Sequence, residues 1–187
     1  MKEKIVVGVA GMPGSGKATV KEIAQEMGYS MVVMGDEIRE EAKQRKLKPT
    51  PENLGQLMLK LREEEGQAVV ARRCALKIER AEEKVVVVDG IRSLREVNEF
   101  KKSFPNFFLI AIHASPEIRF QRLFQRKRSD APKSWKTFIE RDLRELSVGL
   151  GDVIATADYM LINEETRVQL KRKVRKVLES VIEKWMR

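Results

Sequence analysis

The sequence predicts an α/β fold built on a mostly parallel sheet. Three observations carry the prediction: short apolar runs of strand type, segments of helical periodicity between them, and helix-capping residues placed directly after strand ends. The runs are Ile5 to Ala10, Met31 to Met34, Val85 to Val88, Phe107 to His113 and Tyr159 to Asn163. Their apolarity is continuous rather than alternating, the pattern of strands covered on both faces.

The intervening segments read as helices in turn. Val20, Ile23, Ala24 and Met27 follow the first run at i, i+3, i+4 and i+7, the core stripe of an amphipathic helix. Thr50-Pro51 has the form of an N-cap followed by proline at the first helical position, and Leu54, Leu57, Met58 and Leu61 repeat the same spacing until Gly66 interrupts it. A second helix is expected from there toward Val85. Ser93-Leu94-Arg95-Glu96 after the third run is a capping box, and Ser115-Pro116 after the fourth is a further cap with proline. The chain closes with Val174, Val177, Leu178, Val181, Ile182 and Trp185 on one helix face and lysines and arginines on the other. No repeat, low-complexity tract or Pro/Gly/Ser-rich linker divides the 187 residues. A single domain over 1–187 is therefore expected.

Composition narrows the function. The single cysteine, Cys74, can neither pair within the chain nor build a zinc site, so a disulfide scaffold is excluded and a reducing, cytoplasmic location is expected. The longest charge-free stretch, Ser103 to Pro116, has 14 residues, short of the ~18 that a membrane-spanning helix needs. Met1-Lys2-Glu3-Lys4 before Ile5 has a superficial signal-peptide look, but only six apolar residues follow and no small-x-small cleavage site. The segment reads as a first strand. With 37 Lys+Arg against 28 Asp+Glu the net charge is +9, which suits nucleic acid, an anionic membrane or small acidic ligands such as nucleotides.

Gly11-Met12-Pro13-Gly14-Ser15-Gly16-Lys17-Ala18 chooses among these. It fits G-x-x-x-x-G-K-[ST] except at its last position, where Ala18 replaces the hydroxyl residue and Thr19 comes one place late. The loop follows a predicted buried strand and opens a predicted helix, so its N–H groups and the helix dipole can surround phosphates while Lys17 reaches the β and γ groups. Val85 to Val88 then end in Asp89, as a Walker-B strand ends beside such a loop to orient hydrated Mg²⁺. Asp89 and Thr19 are the candidate metal residues; ATP and Mg²⁺ are the expected cofactors.

With these residues in view the chain resembles a known group. Gly11 to Thr19 is similar to the G-x-P-G-S-G-K-G-T loop of adenylate kinases, which also lack a hydroxyl directly after the lysine. Gly35-Asp36-Glu37-Ile38-Arg39 resembles the G-D-x-h-R segment with which nucleoside monophosphate kinases hold the acceptor, and Asp89-Gly90-Ile91-Arg92 resembles their D-G-F-P-R without the proline. The whole looks closest to archaeal adenylate-kinase-related P-loop proteins grouped with dephospho-coenzyme A kinases. The resemblance implies a three-layer α/β/α P-loop fold with a five-stranded parallel sheet and a short helical lid. It implies an acceptor-binding helical region over about 36–82 and a lid over about 122–142, with Asp36, Arg39 and Arg92 on the acceptor. Arg141-Asp142 resembles the R-D pair that closes such lids.

The residues add their own argument for the lid. Arg119, Arg122 and Arg126 recur at i, i+3 and i+7, followed by Lys127 and Arg128, with no acid among them. Such crowding is costly without an anion, and the run leaves the carboxyl end of a strand, where α/β folds bind ligands. Arg122, Arg126 and Arg141 are thus expected to neutralise the transferring phosphoryl group. The basic run Arg167, Lys171, Arg172, Lys173, Arg175 and Lys176 lacks aromatics and reads as a solvated helix face rather than a nucleic-acid site. His113, Trp135 and Trp185 read as structural.

The expected function is ATP-dependent phosphoryl transfer to a small nucleotide-like acceptor. A nucleoside monophosphate attacks through an ionised oxygen and needs no base; an alcohol such as dephospho-coenzyme A needs a carboxylate to take its proton, and Asp36 fits either scheme. The alternative is an ATP-hydrolysing switch or assembly factor with a protein or RNA partner, for which Ala18 and the basic final helix speak.

Overall fold

A computed structural model describes residues 3–126 and 131–186. In chain order the elements are β1 (Ile5–Ala10), α1 (Ala18–Glu26), β2 (Ser30–Val33), α2 (Met34–Gln44), α3 (Pro51–Glu65), α4 (Val69–Arg80) and β3 (Val85–Asp89). There follow α5 (Leu94–Ser103), β4 (Asn106–His113), α6 (Pro116–Gln125), α7 (Trp135–Ser147), α8 (Leu150–Ala155), β5 (Tyr159–Ile162) and α9 (Arg167–Met186). The five strands form one parallel sheet in the order β2-β3-β1-β4-β5. Successive residues of β1 feed opposite layers: Ile5, Val7 and Val9 pack under α1 and α9, whereas Val6 and Ala10 join the layer of α2 to α5 and α8. Continuous apolarity in β1, β3 and β4 is the direct consequence of this double cover, whereas the edge strand β5 leaves Met160 and Ile162 exposed and β2 is only partly buried.

The differences from the sequence reading are local. β2 lies one residue earlier, because Met34 turns into α2 and buries its side chain there. Asn163 falls just past β5, although its N–H still reaches the His113 carbonyl at 2.7 Å. Ser93 and Glu96 form the capping box, and Thr50 Oγ1 accepts from the Asn53 N–H at 3.2 Å. Ser115 makes no side-chain cap; its N–H instead donates to Glu164 Oε1 at 2.9 Å. The short helix α8 buries Leu150 and Val153.

On α9, four cations of the basic run are matched by acids. Arg167 and Lys171 meet Glu22 at 2.7 and 2.9 Å, Arg175 meets Glu26 at 2.7 Å and Lys173 meets Glu165 at 3.0 Å. Trp185 packs edge-on to Phe108, and Trp135 packs with Phe120 and Phe138.

The expectation for Arg119 is corrected. Its side chain is buried and bidentate on Asp142, with Nη1–Oδ1 at 2.9 Å and Nη2–Oδ2 at 2.5 Å. Nε donates to the Ala114 carbonyl at 3.1 Å, Nη1 also reaches the Pro13 carbonyl at 3.3 Å, and the guanidinium lies 5.0 Å from the Phe138 ring centre. All three guanidinium nitrogens are engaged within the protein, so Arg119 fastens α7 to the loop after β1 rather than facing a phosphate.

Two outcomes follow from this packing. Asp142→Ala strands a buried guanidinium and should cost about 3–5 kcal/mol, read as a lowered urea midpoint. Cys74 is fully buried on α4, and burial pushes its thiol up to about 12. Since the thiolate is the reactive species, Ellman's reagent should label Cys74 only as fast as the protein unfolds; fast labelling in native buffer would contradict the packing.

Candidate functional site

The loop from Gly11 to Lys17 leaves the central strand β1 and enters α1, with Asp89 at the end of the neighbouring β3 paired in register with Val9. Two glycines are required by its path. Gly14 has φ +83°, and a Cβ there would sit 2.8 Å from the Arg119 carbonyl oxygen; Gly16 has φ +108°, and a Cβ would meet Asn163 Nδ2 at 2.2 Å. Close approach is the reason for both. Asn163 Nδ2 donates to the Ser15 carbonyl at 2.7 Å and its own carbonyl accepts from Arg122 Nη2 at 3.0 Å, so the loop is braced from β5 as well as from α6.

Lys17 Nζ donates to the Gly11 carbonyl and, at 3.4 Å, to that of Met12. Burial pushes its pKa down; the attraction of Asp89 and Glu145 opposes this, whereas Arg92 and Arg141 add to it. Burial, with the neighbouring Arg126 adding to it, also pushes Arg122 below the ordinary guanidinium value. An anion here would relieve both groups.

Among the described residues six buried side-chain polar atoms lack a hydrogen bond, and four of them, Ser15 Oγ, Asp89 Oδ1, Arg122 Nη1 and Glu145 Oε2, lie around this loop. Buried polar atoms are ordinarily satisfied, so their concentration marks where donors and acceptors await a ligand. The set suits a metal–polyphosphate group: cationic donors for phosphate oxygens and an unengaged carboxylate oxygen for a hydrated cation. Lys17, Asp89, Arg126 and Arg141 line a cavity of about 270 Å³. A second, of about 420 Å³, is lined by Ala18, Thr19, Arg122, Asn163 and Arg167. Thr19 therefore borders a different cavity from Asp89, while Ala18 borders both. A larger cavity of about 590 Å³ lies at the amino ends of the strands beside Lys4 and Phe104. It is remote from these groups.

Of the residues expected at the acceptor, Asp36 and Arg39 are joined in an exposed ion pair within the first turns of α2. Arg92 Nε lies 3.5 Å from Glu145 Oε2. The Arg92 backbone is set by the buried Glu96, whose Oε2 accepts from the Arg92 N–H at 2.8 Å while Oε1 accepts from Arg62 at 3.1 Å. Lys127 and Arg128 lie outside the described residues.

Sequence reasoning missed Asn163, Glu145 and the part played by Glu96. Glu145 was findable, since it stands four residues after Arg141 on one helix face. Asn163 was not, because its place beside the loop depends on strand order.

Comparisons with known proteins agree with this fold. Residues 10–138 match the model of the AAA domain family. A UPF0200 protein of Hyperthermus butylicus is 48% identical over 175 residues, 94% of each chain. The fold is that of a gluconokinase from Sinorhizobium meliloti, with TM-score 0.60 and 16% identity over 100% of this chain and 98% of that one. It is likewise that of shikimate kinase from Acinetobacter baumannii in complex with shikimate, with TM-score 0.59 and 13% identity over 100% and 97%. These likenesses establish a P-loop kinase-like α/β fold, and the chain belongs to the AAA domain family and to the UPF0200 proteins within their shared span.

Proposed function

We propose that the protein is an ATP- and Mg²⁺-dependent kinase of a small acceptor, of the nucleoside monophosphate or dephospho-coenzyme A type. The observation that carries this reading is the cluster of unengaged buried donors and acceptors around the Gly11–Lys17 loop. In phosphoryl transfer the protein chiefly positions groups in line and neutralises charge. Within Gly11 to Thr19, the N–H groups not already given to the Met12 and Gly16 carbonyls, with the Lys17 ammonium, hold the β and γ phosphates. Asp89 would hold a hydrated Mg²⁺, with Thr19 as the loop's nearest hydroxyl, and the ion would supply neutralising charge for the phosphates. Arg122, Arg126 and Arg141 take up the charge that develops on the transferring group, and Arg39 and Arg92 face the acceptor. If the acceptor is an alcohol, Asp36 takes its proton.

In this reading the chain is one domain in which 36–82 receives the acceptor and 122–142 closes over the donor. It acts in the cytoplasm on a dissolved small molecule, and among the described residues no helix is long and apolar enough to cross a membrane. The gluconokinase and shikimate kinase folds support a small acceptor. The alternative, an ATP-hydrolysing switch with a protein or RNA partner, keeps the support of Ala18. It loses much of its support from the final helix, where Glu22 and Glu26 already engage Arg167, Lys171 and Arg175.

The test is transfer from γ-labelled ATP with Mg²⁺ to a panel of nucleoside monophosphates, dephospho-coenzyme A, gluconate and shikimate. Acceptor-dependent transfer is expected, with nucleotide binding lost in Lys17→Ala. Asp36→Asn should lower transfer to an alcohol by about 10²–10⁴-fold and leave transfer to a monophosphate nearly intact. Slow hydrolysis with transfer to none of the panel would favour the switch instead.

A further inference from the structure

Both arginines on the acceptor side already face a carboxylate of the chain itself. Arg39 holds Asp36, and Arg92 holds Glu145. The two pairs differ in how easily they part. Asp36 and Arg39 are each more than half exposed, and such surface pairs separate at little cost. The Glu145 side chain is only 15% exposed, and its Oε2, though 3.5 Å from Arg92 Nε, receives no hydrogen bond.

Glu145 is also held in place. It lies on α7, one turn beyond Asp142, and Asp142 is clamped by the buried Arg119, itself bound to the Pro13 and Ala114 carbonyls. A helix pinned there cannot readily carry the carboxylate away from Arg92. A phosphomonoester seated on Arg92 would then bring a second anion against a desolvated carboxylate, and like charges at such a site repel strongly. A hydroxyl meets no such opposition. It is a donor, and a donor is what Oε2 lacks.

We infer that Glu145 sets the acceptor class: it rejects a phosphomonoester at Arg92 and selects a hydroxyl-rich acceptor that donates a hydrogen bond to its Oε2. This rests on the kinase reading and decides between the acceptors that reading leaves open. The acceptor's oxygen bonds to the γ-phosphorus, the bond from that phosphorus to the β,γ-bridging oxygen breaks, ADP leaves, and the hydroxyl proton passes to Asp36. Glu145 takes no part in the transfer and holds a second hydroxyl.

Calorimetric titration separates the two ideas. Mg·AMP-PNP is titrated first into native protein and Glu145→Gln; failure to bind either would sink the kinase reading by itself. AMP is then titrated into both proteins, with the analogue present where it binds and without it otherwise. AMP affinity should rise by about tenfold or more in Glu145→Gln, and the gain should vanish in Glu145→Gln/Arg92→Ala. Native protein, needing no variant, should transfer phosphoryl to dephospho-coenzyme A, gluconate or shikimate in preference to any nucleoside monophosphate. Unchanged AMP affinity in Glu145→Gln, or preferred transfer to a monophosphate by the native protein, overturns the assignment.

Discussion

Arg119 joins three parts of the molecule that the site needs at fixed separation: the loop after β1 through the Pro13 carbonyl, the turn after β4 through the Ala114 carbonyl, and α7 through Asp142. A buried ion pair of this kind contributes little net stability, because desolvating both partners offsets most of their attraction. Its weight lies in geometry. The planar fork accepts one arrangement of a carboxylate and two carbonyls, so the helix carrying Arg141 and Glu145 has one register relative to the phosphate loop. Gly14 completes the joint, since any side chain there would strike the Arg119 backbone.

The net charge of +9 looks different once its partners are known. Between α1 and α9, Glu22 and Glu26 answer Arg167, Lys171 and Arg175. Across α2 to α4, Glu41 is held by Arg73 and Arg45, which keep its carboxyl below the usual range, and Lys77 bridges Glu37 and Glu40. These networks fasten helices to one another and are largely neutral. The excess that matters for a ligand is gathered at the carboxyl ends of β1, β3 and β4, where Lys17, Arg126 and Arg141 line one cavity.

What could be read from the sequence was whatever depends on neighbours along the chain. Burial on both faces left continuous apolar runs, caps announced α3 and α5, and glycine spacing announced the loop, because each is a local constraint on backbone or solvation. Arg119, Arg122 and Arg126 show the limit. Their spacing places them on one face of α6, yet the first is buried against Asp142, the second half-buried on Asn163 and the third exposed. Helical spacing defines a face and says nothing of how depth changes along it. Asn163 escaped for a related reason: its position beside the loop follows from strand order.

Ala18 and Glu145 bear on each other through Lys17. With no hydroxyl directly after the lysine, a metal held here in the proposed kinase reading would rest chiefly on Asp89, whose Oδ1 is buried without a partner. Asp89 and Glu145 are also the two carboxylates that oppose the loss of charge which burial imposes on the Lys17 ammonium. A phosphate arriving at the loop takes over that task, since its oxygens supply the counter-charge. In the proposed kinase reading Asp89 then remains for a hydrated cation and Glu145, without moving, for the acceptor.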